Sequence, residues 1–250
     1  MLSIAKIKRR LQHLVNAKKQ VDPANAYNLW AAGYDSQPGN LMLALDEEIF
    51  ADLLAAVPLT GALVADVGCG TGRHWKKILN GNPKKIVGFD VSEKMLAMLQ
   101  QKFPGSETHI IKNNQLPSLQ DNSCQLLVST LTIAHIENVA AALQEWARVL
   151  APGGSMLITD YHPAALAKGA ERSFTHDHKK VSIKNYVHPV DTIITLAGQL
   201  NLHTSRLTEK NIDDSMRHFY EKQNALAVFE NWKGTPVIYG LHLKKADDTA

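Results

Sequence analysis

The chain has little cysteine: Cys69 and Cys124 are the only two in 250 residues, and both fall in or beside apolar runs. That number builds no disulfide framework, which excludes a small disulfide-stapled secreted module and makes a reducing cytoplasm the expected setting. No apolar run approaches the roughly 20 residues a membrane-crossing helix needs, so no span is expected. Aromatic residues reach only 6% and form no evident platform for stacking nucleic-acid bases. Charge of one sign is also scarce. The formal net charge is +3, much of it in the first twenty positions, which is no footprint for nucleic acid. The P-loop ending Gly-Lys-Ser/Thr is absent, and the dinucleotide pattern G-x-G-x-x-G fails at its last position, where Arg73 stands. His162, His176, His178 and His188 match no zinc-ligand spacing and have no cysteines nearby, so no metal is expected.

What is present centres on Leu63-Val-Ala-Asp-Val-Gly-Cys-Gly-Thr-Gly-Arg73. An apolar run without polar alternation reads as a parallel strand buried on both faces. It breaks into Gly68, Gly70 and Gly72, residues that turn sharply and let the backbone approach a ligand. Lys85-Ile-Val-Gly-Phe-Asp90 reads as the next strand, with Asp90 twenty-two positions after Gly68. In nucleotide-binding α/β folds an acid about 20 residues beyond the glycine turn accepts hydrogen bonds from ribose hydroxyls. Strand, turn, helix, strand and acid describe a pocket for an adenosine-containing ligand.

With no pyrophosphate pattern to serve, this turn suits the methionine end of S-adenosylmethionine. The sequence resembles the class I S-adenosylmethionine-dependent methyltransferases in Val64-Ala-Asp-Val-Gly-Cys-Gly-Thr-Gly72 and again in Arg148-Val-Leu-Ala-Pro-Gly-Gly154. Tyr34-Asp35 is similar to a loop that small-molecule members fold over the cofactor, and His135-Ile136 to an element after the fourth strand. His162-Pro163 and Val187-His188 resemble a bacterial subgroup. The resemblance implies an α/β, Rossmann-like sheet of seven mostly parallel strands in the order 3-2-1-4-5-7-6, with helices on both faces and an N-terminal helical cap. It implies cofactor contacts from Asp66, Gly68, Cys69, Gly70 and Gly72, then from Asp90, Val91 and Met95. Thr130, Leu131, His135, Tyr27 and Tyr34 complete the methionine side. Where relatives place an Asp for the adenine amino group, Asn113-Asn114-Gln115 stands, and an Asn carbonyl accepts the same bond. Gln125 is a second departure, at a position where relatives start the fourth strand with Asp.

Along the chain, Met1 to about Gln20 has helical apolar spacing and a basic outer face, read as a packing or lid helix. Residues 1–58 form the cap and 59–250 the α/β domain, as one folding unit. Tyr161 to Pro189 reads as a long loop poor in periodicity, such as serves as a lid. Helices are expected at Leu41–Val57, His74–Asn80, from Ser92 to Phe103, at Ile136–Leu150, from Asp191 to Leu200 and at Met216–Trp232. Strand faces alternate at Val237, Tyr239 and Leu241 against Ile238 and His242.

Methyl transfer from a sulfonium needs alignment and exclusion of water more than any fixed catalytic group. His162, His135, Asp160 and Tyr34 are the candidates for orienting a substrate or removing its proton. The expected activity is methylation of N, O or C of a small metabolite. The absence of Asn/Asp-Pro-Pro-Tyr/Phe after the fourth strand, where Ser129-Thr-Leu-Thr-Ile133 stands, argues against a nucleic-acid substrate. Alternatives are a non-methylating enzyme that cyclises or cleaves the sulfonium, and a cofactor-binding protein without activity. The oligomeric state is left open, a homodimer included.

Overall fold

The computed structural model describes residues 20–37 and 39–247. The basic amphipathic stretch expected from Met1 lies outside them apart from Gln20. The first half contains β1 (Gln20–Val21), α1 (Pro23–Trp30), α2 (Leu41–Leu54), β2 (Leu63–Val67), α3 (Trp75–Leu79) and β3 (Lys85–Asp90). It continues with α4 (Glu93–Lys102), β4 (Glu107–Ile110), β5 (Cys124–Thr130) and α5 (Val139–Val149). The second half contains β6 (Leu150–Tyr161), α6 (Pro163–Ala167), β7 (Ser173–His176), β8 (Lys179–Ile183) and α7 (Val190–Gln199). It ends with β9 (Leu202–Asn211), α8 (Arg217–Glu221), α9 (Leu226–Trp232) and β10 (Pro236–Lys245). No helix among the described residues is long and apolar enough to cross a membrane.

Seven strands form one sheet in the order β4-β3-β2-β5-β6-β10-β9, which is 3-2-1-4-5-7-6 when only these strands are counted along the chain. β10 runs antiparallel to both its neighbours, and the other pairings are parallel. β2 is central for the reason its composition suggests. Ala65 and Val67 face one core with Leu127, Trp146 and Ile193, while Val64 faces the other with Ile49, Ile78 and Leu157. The chain winds outward from β2 to β4 and then returns to β5 on β2's other side. That reversal opens a crevice at the strands' carboxyl ends.

Local chemistry sets the helix starts. Asp22, Asn40, Ser92 and Asn138 each accept a backbone N–H in the first turn of the helix they cap. α5 therefore begins at Val139, capped by Asn138 after a 3₁₀ turn at Ile133–His135, rather than at Ile136. The expected helix at Met216–Trp232 is two short ones, interrupted where Asn224 adopts φ 52°. The alternation expected in β10 fails at Val237, which joins Ile238 on one face because the pairing with β9 shifts between Pro236 and Ile238.

The largest departure is the stretch after β6, which carries α6 and a β-hairpin instead of an open loop. Asp177 and His178 both take positive φ, 47° and 60°, in the two-residue turn between β7 and β8. This is the backbone of a type I′ turn without the usual Asn-Gly signature. β8 then pairs in parallel with β1 through Gln20–Ser182 and Val21–Ile183, making a small three-stranded sheet. Trp30 of α1 stacks on Phe174 of β7 with centroids 4.6 Å apart and planes 5° apart. α1 and the hairpin thus form one roof above the crevice.

Two buried contacts, among other links, fasten α2 to the body. A Cβ at Gly240 of β10 would lie 2.2 Å from Ile49 Cγ2, so the helix approaches the strand at a distance only glycine permits. Asp46, fully buried, accepts hydrogen bonds from Arg73, from His74 Nε2 at 2.8 Å and from Thr159. Arg73, the residue that breaks the dinucleotide pattern, is thereby the ion partner of α2. Burial alone pushes the Asp46 carboxyl up, but Arg73, His74 and Thr159 outweigh it and hold the group well below its ordinary 3.8. A carboxylate lowered in the fold contributes stability that is complete above about pH 4 and is lost as pH falls towards the folded value. Asp46→Ala, which removes the buried partner of Arg73 and leaves it only the longer contact with Glu47 at 3.7 Å, is expected to lower unfolding free energy at pH 7 by about 3–5 kcal/mol. Urea titrations at pH 7 and pH 3.5 check this: the deficit should shrink at the lower pH.

Candidate active site

A cavity of about 770 Å³ occupies the crevice under the roof. Its floor is the glycine turn. Gly68 N–H and Cys69 N–H donate to Phe89 O at 2.7 and 3.0 Å, folding the turn back on β3. Gly68 has φ 74°, and a Cβ there would lie 2.0 Å from Thr132 Oγ1. Asp90, at the end of β3, accepts Gly70 N–H on one oxygen and Ser92 N–H on the other, each at 2.8 Å. Burial pushes its carboxyl up while these N–H groups pull it back. Each oxygen retains lone-pair capacity for a further donor.

On the β3–β4 side, Val91, Met95, Ile111, Asn113 and Asn114 line the cavity, with Asn114 at φ 56°. On the other side Thr130 and Leu131 leave β5. Leu131 holds φ 52°, a conformation a leucine adopts only under constraint. The constraint is visible: its N–H donates to Thr159 O at 2.7 Å and its carbonyl accepts from Arg172 at 3.3 Å.

The roof contributes Tyr27, Tyr34 and Arg172, and His135 faces them from the turn after β5. Tyr27 Oη lies 3.0 Å from His135 Nε2, and His135 Nδ1 lies 2.9 Å from Lys184 O. A carbonyl can only accept, so Nδ1 carries the proton and Nε2 is left to accept from Tyr27. Burial and then Arg172 push the His135 imidazole down to about 4. Tyr34 Oη accepts from Arg172 at 2.8 Å. Asp35 accepts from Thr71 Oγ1 at 2.7 Å and binds Lys102 at 2.9 Å, tying the Tyr34-Asp35 loop to the glycine turn.

The structure therefore gathers Gly68, Gly70, Asp90, Val91, Met95, Asn113, Asn114, Thr130, Leu131, His135, Tyr27 and Tyr34 around one space. Six other residues singled out from the sequence do not line it and are occupied elsewhere. Asp66 accepts Trp75 Nε1–H at 2.8 Å, and burial raises its carboxyl to about 6. The Cys69 sulfur packs over Gly88, where a Cβ would meet it at 2.9 Å. Gly72 makes room for Leu99 and Phe103. Gln115 is exposed. Asp160 accepts the N–H groups of Ala134 at 2.7 Å and Tyr161 at 2.6 Å, and burial raises it to about 6. His162 caps α6 by accepting Ala164 N–H at 3.1 Å and meets Glu209 of β9 at 2.8 Å. Both of its ring nitrogens are thus engaged with groups that do not line the cavity.

Residues 65–158, from within β2 to within β6, match the family model described as "Methyltransferase domain". Malonyl-[acyl-carrier protein] O-methyltransferase of a Marinomonas strain is 29% identical over 191 residues, covering 74% of this chain and 68% of that protein. An uncharacterized methyltransferase of Emericella nidulans is 26% identical over 240 residues, covering 78% and 83%. A solved S-adenosylmethionine-dependent methyltransferase from Mesorhizobium loti shares the fold at TM-score 0.61 and 18% identity, covering 78% and 96%. These likenesses support the resemblance to the class I S-adenosylmethionine-dependent methyltransferases. Residues 65–158 of the chain are a methyltransferase domain, and two neighbours that share the fold, a geranyl diphosphate methyltransferase and a Haemonchus contortus N-methyltransferase, were solved with sinefungin and with S-adenosylhomocysteine.

Two features of this methyltransferase's site escape a reading of its sequence. Arg172 sits in Ala170-Glu-Arg-Ser173, between elements, where no period marks it. The alternation of Ser173 to His176 about the Asp177-His178 turn is the signal that would have exposed the hairpin and the arginine leading into it. The Asp46–Arg73–His74–Thr159 cluster joins residues up to 113 positions apart, which no local pattern announces.

Gly68→Ala must push its Cβ into Thr132 and hold a positive φ. Such overpacking is expected to cost about 1–3 kcal/mol of stability. By displacing the turn it should also weaken S-adenosylhomocysteine binding at least about tenfold, since about 1.4 kcal/mol suffices for that. Calorimetric titration of the purified variant measures the second effect.

Proposed function

We propose that the enzyme methylates N, O or C of a small metabolite within the roofed cavity. The carrying observation is the Tyr27–His135 hydrogen bond, placed beside the end of β5 and next to the glycine turn. The cavity suits the nucleoside on its own features: a turn that admits no Cβ at Gly68, and a buried carboxylate at the end of the next strand with acceptor capacity to spare. In this reading Asp90 holds the ribose hydroxyls and Val91, Met95 and Ile111 flank the adenine. Asn113 or Asn114 accepts from the adenine amino group. Gly68, Gly70, Thr130 and Leu131 receive the methionine portion.

When bound, S-adenosylmethionine supplies a methyl group on a positive sulfur that leaves with the C–S electron pair. The protein's part is to align the acceptor lone pair with that bond and keep water out. The roof of α1 and the hairpin provides both. His135, neutral at physiological pH, holds Nε2 towards Tyr27. An acceptor proton passes to Tyr27 Oη as the tyrosine proton moves to His135. A base this weak suits an acceptor whose proton becomes acidic as the new bond forms.

The described part of the cap, residues 20–58, belongs with the α/β domain as one folding unit in this reading, supported by the burial of Asp46 and Ile49 against the sheet. Two buried unpaired cysteines support a cytoplasmic setting.

Asp90→Ala is expected to weaken S-adenosylhomocysteine binding by about 1.5–3 kcal/mol, the range of hydrogen bonds to a charged group. His135→Gln should lower turnover about 10²–10⁴-fold with that affinity little changed. The wild-type pH–rate profile should lack the inflection near 6.5 of an ordinary histidine, because His135 stays neutral down to about 4. Transfer of labelled methyl to a panel of small acceptors tests the assignment. Consumption of S-adenosylmethionine with no acceptor present would instead assign a cyclising or cleaving reaction.

A further inference from the structure

Arg172 is a buried cation at the cavity that no carboxylate meets at ion-pair distance among the described residues. It is 5% exposed, and its hydrogen-bond partners are neutral: Tyr34 Oη at 2.8 Å and Leu131 O at 3.3 Å. Its Nε–H is buried without a partner. Among the described residues no carboxylate lies within ion-pair distance of it. Asp160, the acid nearest in influence, already accepts two backbone N–H groups. Ring faces surround the guanidinium instead, with Tyr27 at 5.5 Å and Trp30 and Tyr161 each at 5.9 Å from its carbon. Cation–π contact softens the loss of water but does not supply a counter-charge.

The position is built rather than incidental. The Arg172 carbonyl accepts Ile183 N–H at 2.9 Å, fixing the residue at the base of the hairpin. The guanidinium lies between Tyr34, Leu131 and the ring of Tyr27, whose hydroxyl meets His135. An arginine has five N–H donors in a planar fork matched to an oxyanion, and here only two have partners.

We propose that Arg172 receives an anionic oxygen group, a carboxylate or phosphate, carried by the methyl acceptor. This rests on the small-acceptor reading and narrows it: the substrate is an acid, held by its charge on Arg172 while its nucleophilic atom faces Tyr27 and His135. A cationic amine is disfavoured at that point, because the aromatic rings that would hold it are already taken by the arginine. The same chemistry has a second source in the cofactor's own methionine carboxylate, and affinities for two nucleosides separate the two.

Calorimetry on the whole protein first titrates S-adenosylhomocysteine and 5′-methylthioadenosine, which lacks the carboxylate, into wild type, Arg172→Gln and Arg172→Lys. The S-adenosylhomocysteine complexes are then titrated with malonate, inorganic phosphate and, as an uncharged control, malonamide. The proposal expects malonate or phosphate, but not malonamide, to bind the wild-type complex, and at least about tenfold weaker binding to the Arg172→Gln complex. Arg172→Lys, keeping charge without the fork, should fall between them and covers the case in which Arg172→Gln fails to fold. Any change in nucleoside affinity should be shared by S-adenosylhomocysteine and methylthioadenosine, their ratio staying within about threefold in both variants, well under the tenfold that a lost 1.4 kcal/mol would give. A selective loss of S-adenosylhomocysteine affinity with methylthioadenosine unchanged would overturn the proposal by assigning Arg172 to the cofactor. Anion binding that is absent, or indifferent to both substitutions, would overturn it as well. If wild type bound neither nucleoside, the cofactor placement itself would fail, an outcome distinct from these.

Discussion

The hydrogen bond from Gly70 N–H to the Asp90 carboxylate joins the turn after β2 to the end of β3, and the remaining geometry of the site follows from it. A turn with three positive-φ glycines has no intrinsic reason to hold one shape. Three anchors supply that reason. Phe89 O takes two of its N–H groups, Asp90 takes a third, and Thr132 fills the space a Gly68 side chain would need. A single carboxylate thus shapes the floor of the cavity and remains available to a ligand's hydroxyls.

The roof depends on the floor in turn. Asn28 of α1 accepts from Ser92 Oγ at 2.8 Å and from Lys94 N–H at 3.1 Å, so α1 docks on the residues that follow Asp90. Asp35 docks on Thr71 of the turn. Above them the hairpin adds two strands to β1, and Arg172 at its base reaches down to Leu131. The polar links from roof to floor are few and run through groups that face the cavity. A ligand filling that space would add contacts to both sides at once, coupling binding to the order of α1 and the hairpin.

The sheet was legible because its signals are local. An apolar run ending in glycines, an acid at a fixed distance and a Pro-Gly-Gly turn each specify a strand or its end without reference to the rest of the chain. The strand order followed from family resemblance rather than from any period. The floor of the site was legible for the same reason, since Gly68, Gly70 and Asp90 act through backbone geometry written at their own positions. Distant partnerships were not. Arg73 looked like a defect in a nucleotide motif, yet its meaning lies in Asp46 on another helix. His162 stands beside a strand end, and its partner Glu209 lies on β9, 47 positions away. The hairpin hid because Asp177-His178 adopts a turn that Asn-Gly would have advertised.

In the proposed function the turn and Asp90 grip one sulfonium nucleoside with its reactive end beneath the roof. A crystal structure of the protein grown with S-adenosylhomocysteine tests this most directly. Ribose hydroxyls are expected on the Asp90 carboxylate, adenine between Val91 and the Asn113–Asn114 segment, and the sulfur towards Tyr27 and His135. Density for the nucleoside elsewhere, or a ribose turned away from Asp90, would contradict it.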